Sequence, residues 1–184
     1  MLDQTLLILG CEKGFLDKFS LLNPASPQLV TSIQLQDDVY TFLKFSERIL
    51  LCGQNKGFID VVDVYTFKSI NQLYIQGSSY INDMTRTAEK EVIAVACGQG
   101  LWIVKFDKGL TMSSSHLKGK WIQSVCHVRQ GQVILGVWNL RDFIIFDYMK
   151  DEERNRIPNP SGDFNPYRII ALNDSRGCTN KVYE

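Results

Sequence analysis

The chain has 184 residues, enough for one domain with a sizeable core, and its 45% hydrophobic and 22% charged content is that of an ordinary folded globular protein. Lys plus Arg equals Asp plus Glu at 20 each, so a formal net charge of zero removes the usual electrostatic case for a binder of nucleic acid or anionic membrane. No apolar run approaches the length of a membrane span, and the opening MLDQTLLILGCEKG has neither the basic flank nor the cleavage site of a secretory signal.

The chain opens with a short strand pattern over Thr5 to Gly10, and the segment it begins recurs. The four copies are LLILGCEKGFLDKFS, ILLCGQNKGFIDVVD, IAVACGQGLWIVKFD and VILGVWNLRDFIIFD, ending at Ser20, Asp63, Asp107 and Asp147, spaced 43, 44 and 40 residues apart. Their turn positions Gly14, Gly57, Gly100 and Arg141 are spaced 43, 43 and 41 apart. Independent markers that share one period indicate a repeat architecture. Each copy reads strand, tight turn, strand. In the clearest, Ile49 to Cys52 and Phe58 to Val64 flank GQNKG, whose glycines Gly53 and Gly57 are expected to supply left-handed turn conformations.

A leading strand precedes each later copy, at Val39 to Phe45, Ile81 to Thr85 and Ile122 to Val128. A trailing strand follows at Leu29 to Leu35 and Ser69 to Ile75, weakly at Thr111 to Leu117, and faintly near Arg154 to Ile157. A unit is therefore four strands in 40 to 44 residues, the requirement of a β-propeller blade. The units run approximately over 1–36, 37–77, 78–118 and 119–160, with a partial one over 161–184.

IQSVCHV at 122–128 and the pairs Val62-Asp63, Phe106-Asp107 and Phe146-Asp147 make the pattern resemble the WD40-type repeat. That resemblance implies an all-β fold: a β-propeller, or an open propeller arc, of about four four-stranded antiparallel blades. The copies diverge from the family. Val or Phe replaces the Trp of the Trp-Asp pair, the first copy ends Phe19-Ser20, and no Gly-His pair precedes a leading strand. The buried His–Asp network that the family often uses is therefore not carried over. Kelch-type and other propellers remain compatible with the strand pattern.

The last strand pattern, Tyr167 to Leu172, reads as another leading strand, and the first unit has none. Two arrangements satisfy this count. The chain is an arc of a larger propeller, with further blades outside it, or the last strand docks on the first unit and closes a four-bladed ring.

Chemistry-bearing motifs are few. No hydrolase elbow, zinc-protease, phosphate-loop, dinucleotide or EF-hand pattern occurs, and Gly98-Gln99-Gly100 is a strand turn with no helix behind it. No catalytic, cofactor-binding or metal residue is assigned, and no cofactor is expected. Asp63, Asp107 and Asp147 occupy one place in successive units, so they are expected to accept backbone N–H groups in turns and not to converge on an ion. His127 is expected to pack with a hydrogen bond, and His116 to be exposed. Five cysteines without metal spacing, three of them at matching strand ends (Cys11, Cys52, Cys97), read as buried thiols of a reducing compartment. The sequon Asn173-Asp174-Ser175 is weak. Lys150 to Pro166, with mixed charge and three prolines, reads as a solvated loop or a partner-binding insertion.

Aromatic residues recur at the starts of the leading strands: Tyr40, Tyr80, Trp121 and Tyr167. Resemblance to the family implies that this rim binds proteins or peptides, and aromatic anchors suit that role. Tyr40 and Tyr167 align with the apolar core position and are expected inside; Tyr80 and Trp121 fall one residue earlier and are the rim candidates. The expected function is a non-enzymatic protein–protein interaction scaffold, cytoplasmic or otherwise intracellular, with a protein or peptide partner, no nucleic acid and no membrane. The alternatives are an enzymatic or carbohydrate-binding propeller, and a truncated fragment with no function of its own.

Overall fold

The computed structural model describes residues 6–10, 12–107, 109–158 and 169. Thr5, the Tyr167 to Leu172 stretch apart from Ile169, Cys11, Cys178 and the sequon lie outside the described residues.

The described chain is all β apart from one short 3-10 turn at Glu12–Gly14. Fifteen strands form four antiparallel sheets, each following chain order. The first has three strands, β1 (Leu6–Gly10), β2 (Phe15–Ser20) and β3 (Gln28–Gln34). The second runs β4 (Val39–Lys44), β5 (Ile49–Gln54), β6 (Phe58–Asp63) and β7 (Lys68–Tyr74). The third runs β8 (Ile81–Arg86), β9 (Val92–Cys97), β10 (Gly100–Phe106) and β11 (Leu110–His116). The fourth runs β12 (Ile122–Arg129), β13 (Gln132–Val137), β14 (Asp142–Asp147) and β15 (Glu152–Pro158). Each sheet is a blade, and the leading strands β4, β8 and β12 lie beside one another at the centre of the arc.

The strand sequences follow from this layering. β5, β6 and β9 are covered on both faces and read as nearly continuous apolar runs, ILLCGQ, FIDVVD and VIAVAC. The outer strands β7 and β15 are exposed over most of their length and are polar, KSINQLY and EERNRIP. Exposure on both faces leaves β15 no alternation to read. The first half of the expected loop from Lys150 is thus a seven-residue strand, held by its ladder to β14 and by Arg156–Glu153 and Arg154–Glu152 ion pairs at 2.6 Å.

Three hydrophobic cores lie between blades, and successive residues of a central strand serve different cores. Leu50 and Cys52 of β5 join Val62, Val64, Leu16 and Leu35 between the first and second blades. Leu51 points the other way, with Ile59, Val61, Ile93 and Val95 between the second and third. Ala94 and Ala96 meet Leu135, Val137, Ile144 and Phe146 between the third and fourth. Polar ties reinforce the seams. Asn82 Nδ2 donates to the Ile122 carbonyl at 2.7 Å, the Val125 amide to Asp83 at 3.0 Å, and Tyr148 Oη to Glu89 at 2.6 Å.

The β6–β7 and β14–β15 turns bend alike. Phe67 and Asp151 take left-handed φ values of 51° and 54° at equivalent positions, four residues beyond Asp63 and Asp147. From that place each reaches the preceding blade. Phe67 is buried in the first core beneath Lys18 Nζ, 5.6 Å from the ring centroid. Asp151 accepts from His116 Nδ1 at 2.7 Å.

The two glycines of GQNKG differ in role. Gly57 has φ of +81°, and a Cβ there would stand 2.6 Å from the Ile75 carbonyl oxygen, so the turn requires glycine on both counts. Gly53, expected in the turn, lies inside β5 without a left-handed φ. Its place is one of close approach: a Cβ would sit 2.5 Å from Ile81 and 2.6 Å from Thr41 of the neighbouring leading strands. Gly53→Val is therefore expected to lower the unfolding free energy by about 1–3 kcal/mol through overpacking. Denaturant unfolding against wild type reads this, and an unchanged midpoint would refute the close approach.

Candidate partner-binding rim

Each leading strand carries a bulge at the same place, between Val39 and Thr41, Ile81 and Asp83, and Ile122 and Ser124. The residues in the bulges are Tyr40, Asn82 and Gln123. A bulge re-aims a side chain that strict alternation would send to the other face. Tyr40, expected in the core, is 54% exposed for this reason; the core position is Val39, matched by Ile81 and Ile122 in the other blades.

Tyr40 then lies edge-on against Tyr80, with ring centroids 5.3 Å apart. Tyr80 meets Trp121 at 5.5 Å, and Trp121 meets Trp138 at 6.4 Å. Four aromatic rings from three blades thus form one continuous row. These are the separations at which aromatic pairs add to area burial. Tyr80 and Trp121 are half-buried, while Trp138 is 42% exposed. Tyr167 lies outside the described residues.

Backbone bonds fix the row. Tyr80 forms a bridge with Asn55 of the preceding blade, and its carbonyl accepts from the Gly98 amide at 3.2 Å. The Trp138 amide donates to the Trp121 carbonyl at 2.8 Å, and Trp121 Nε1 donates to Gln123 Oε1 at 3.1 Å. At Gly98 a Cβ would stand 2.6 Å from Ser79 Oγ, while the Trp121 ring lies at an ordinary contact distance of 3.5 Å. Trp138 did not emerge from the repeat because it lies in the β13–β14 turn and not at a strand start. Its signal was an indole in a turn longer than the corresponding turns of the second and third blades.

The flank of the row at Tyr40 is charged, and both of its carboxylates are engaged. Asp37 pairs with Lys56 Nζ at 2.6 Å, and Asp38 accepts from the Lys13 amide. The Lys56 partnership holds the Asp37 carboxyl below its usual value and raises the Lys56 ammonium. Partial desolvation, with Tyr80 and both aspartates nearby, raises the Tyr40 phenol.

The other sequence candidates resolve into structural roles. Asp63 accepts from Arg48 Nε at 2.6 Å and from the Tyr65 and Thr66 amides at 2.9 and 3.0 Å. Asp147 accepts from the Met149 and Lys150 amides at 3.2 and 3.1 Å and from Arg154. Asp107 is not their counterpart. Lys105 holds the ladder position opposite Val92 that Asp63 and Asp147 hold opposite Ile49 and Gln132, because the β9–β10 turn is only two residues long. Asp107 lies two residues further on and is exposed. Among the described residues no group of three or more His, Cys, Asp or Glu could hold a metal. Gly14, Gly57 and Gly100 share positive φ values of 76°, 81° and 137°.

Both histidines depart from expectation. His116 is buried, bonded through Nε2 to Ser114 Oγ at 2.9 Å and through Nδ1 to Asp151, and packed on Phe146 at 5.7 Å. The order Ser–His–Asp matches a hydrolytic triad in its distances. Its place is the seam between the outer edges of two blades, and its carboxylate is 70% exposed, so the set ties blades together. His127 is half-buried, and its Nε2 has no hydrogen-bond partner. A further polar cluster, unforeseen in the sequence, surrounds buried Asp60, which accepts from Gln54, Ser69 and Gln72 and is fully committed to blade structure.

No family model matches the chain, and no curated protein matches it. Solved structures do match. One is the crystal structure of Sqt1 from Chaetomium thermophilum, a WD40 propeller-type protein, with a TM-score of 0.68 over 89% of this chain at 17% sequence identity. The fold is a WD40-like β-propeller or propeller arc of four blades over the described residues. The chain spans about half the length of that neighbour, covering 46% of it. It is one of 1032 matching chains, so the likeness marks a widespread architecture and singles out no activity. No helix among the described residues is long and apolar enough to cross a membrane.

The Thr66 amide, with Arg48 and the Tyr65 amide, holds the Asp63 carboxyl below its ordinary 3.8. Burial pushes Asp147 up, but Arg154 and the Lys150 amide outweigh it and leave it lowered too. A folded-state value below the unfolded one means that the unfolded chain binds more protons in that window. The stabilisation is full above pH 3.8 and is lost as pH falls through the lowered values. Wild type is therefore expected to exceed Asp63→Asn in stability at pH 7, with the gap narrowing below pH 3.8. Urea unfolding at pH 7 and pH 3 checks it, and a gap independent of pH would refute it.

Proposed function

We propose that the chain is a non-enzymatic protein-interaction module that binds a protein or peptide across the row Tyr40–Tyr80–Trp121–Trp138. The observation that carries this reading is the continuity of the row, with centroid steps of 5.3, 5.5 and 6.4 Å across three blades. Rigid aromatic surface with one polar end offers large contact area at small entropy cost, which is why Trp and Tyr dominate binding hot spots. The half-buried Tyr80 and Trp121 form the floor, and the more exposed Tyr40 and Trp138 form its two ends.

Hydrolysis or sugar chemistry needs convergent carboxylates or a base at the mouth. The carboxylates nearest the row, Asp37 and Asp38, are engaged by Lys56 and the Lys13 amide, which favours binding over chemistry. An intracellular setting accords with Cys52 and Cys97 standing as buried free thiols.

Trp138→Ala and Trp121→Ala test the reading in pull-downs compared with wild type, alongside thermal unfolding. Trp138 is 42% exposed and packs on one ring, so its removal is expected to cost about 1–2 kcal/mol and leave the fold intact while depleting the captured partners. Trp121→Ala is expected to deplete the same partners. An unchanged set of partners for both variants, with the fold intact, would overturn the assignment.

A further inference from the structure

Three turns lead into the strand starts that bear the rings, each joining a trailing strand to the next leading strand. Gln36-Asp37-Asp38 precedes β4 and Tyr40, Gln76-Gly77-Ser78-Ser79 precedes Tyr80 and β8, and Leu117-Lys118-Gly119-Lys120 precedes Trp121 and β12. Their place in the blade is shared and their charge is not. The first turn is acidic, the second uncharged and the third basic. The rings follow these turns in the same order, so the charge grades along the row, from acidic beside Tyr40 to basic beside Trp121 and Trp138.

The two ends differ in a second respect. Beside Tyr40 both carboxylates are engaged, Asp37 by Lys56 Nζ and Asp38 by the Lys13 amide. Beside the indoles the adjoining turns supply no carboxylate. The Gly119 amide donates to the Gln99 carbonyl at 3.1 Å and sets the basic turn against the β9–β10 turn, Gly98-Gln99. The Trp138 amide, bonded to the Trp121 carbonyl, brings in the β13–β14 turn, Trp138 to Arg141. Neither turn contains Asp or Glu. Lys118 and Lys120 are exposed. The backbone that carries them is held by the Lys120 amide donating to the Leu117 carbonyl at 3.0 Å, with Leu117 and Gly119 at left-handed φ values of 51° and 76°.

Taking the aromatic row as the binding surface, we propose that its partner is an acidic peptide segment that lies in one direction, with carboxylates over Lys118 and Lys120 and apolar residues toward Tyr40. Exposed lysines add less to affinity than the rings do, but they select the partner, because a like charge placed over them is repelled. A nucleic acid carries its charge evenly and would meet the Asp37-Asp38 turn as well as the lysines. The gradient therefore favours a peptide that is acidic at one end only.

A phage-displayed library of random peptides, selected on the full 184-residue chain, tests this. Enriched peptides are expected to combine apolar residues with Asp or Glu gathered toward one end. One such peptide, synthesised with a fluorescent label, is expected to bind Lys118→Glu/Lys120→Glu about tenfold more weakly than wild type at low salt. It is expected to bind Lys68→Glu, at the far end of the second blade, as it binds wild type. Selection on the double variant is expected to enrich Lys or Arg in place of Asp or Glu. Lys118→Gln/Lys120→Gln, which removes the charge without reversing it, serves if the first variant loses its far-UV circular dichroism spectrum, and is expected to abolish the acidic bias. Peptides whose capture needs Trp121 and Trp138 but shows no acidic bias would overturn the proposal and leave the row as the binding surface. No enrichment, or capture unchanged in Trp121→Ala and Trp138→Ala, would overturn both. Tighter binding of a labelled single-stranded oligothymidylate than of the selected peptide, lost in the double lysine variant, would also overturn it and assign the lysines to nucleic acid.

Discussion

A central strand of this chain has no polar face. Leu50, Leu51 and Cys52 in succession are buried, and the single-residue alternation of a strand sends them to opposite sides of the sheet. Such a sheet is stable only with another sheet on each side. Burial of one Leu or Ile side chain contributes about 1.5–3 kcal/mol, and each seam gathers seven or more buried residues. Against the marginal stability of a folded domain, the seams decide the architecture and the polar ties only trim it. Gly53 is the measure of how closely the blades approach, since no side chain at all is admitted between β5 and the neighbouring leading strands.

Stacking sheets on both faces forces their first strands together. β4, β8 and β12 crowd the centre, and the crowding is relieved by the same bulge in each. The bulge has a second effect. It turns Tyr40 outward, while Asn82 from the equivalent place ties its blade to the Ile122 carbonyl and Gln123 holds the Trp121 indole. One backbone irregularity thus supplies an exposed ring, a seam tie and a ring anchor, according to the side chain it carries. The aromatic row is therefore a by-product of close-packed strand starts, elaborated by sequence.

What could be read from residues alone follows the same physics. The period, the blade count and the inner strands were legible, because burial on both faces writes apolar runs with glycine punctuation at a fixed interval. The outer strands were faint because exposure removes the pattern: β15 is exposed at every position, so its sequence shows only a faint strand near Arg154 to Ile157 within a stretch that otherwise reads as loop. Register was the weakest inference. Asp107 looked equivalent to Asp63 and Asp147, but a two-residue turn displaced it from their ladder position by two places. Tyr40 was misplaced because a bulge leaves no mark in the sequence. His116 was taken as exposed because its partner Asp151 is 35 residues away in another blade. Trp138 escaped because it belongs to no repeat position.

Trp138 also shows where the copies are free to differ. Equivalent positions are constrained by the seams: a glycine beside the trailing strand's carbonyl in the first three blades, and an apolar residue at the start of the leading strand in the last three. The turn between the second and third strands carries no such constraint. In the second and third blades it is short and turns back at once, and in the fourth it is longer and lays an indole on Trp121. The Trp138 amide bonded to the Trp121 carbonyl fixes the backbone from which that indole projects. Rings held in place before a partner arrives lose little entropy on binding. The seams that make the blades interdependent are thus also what hold the four rings in one row.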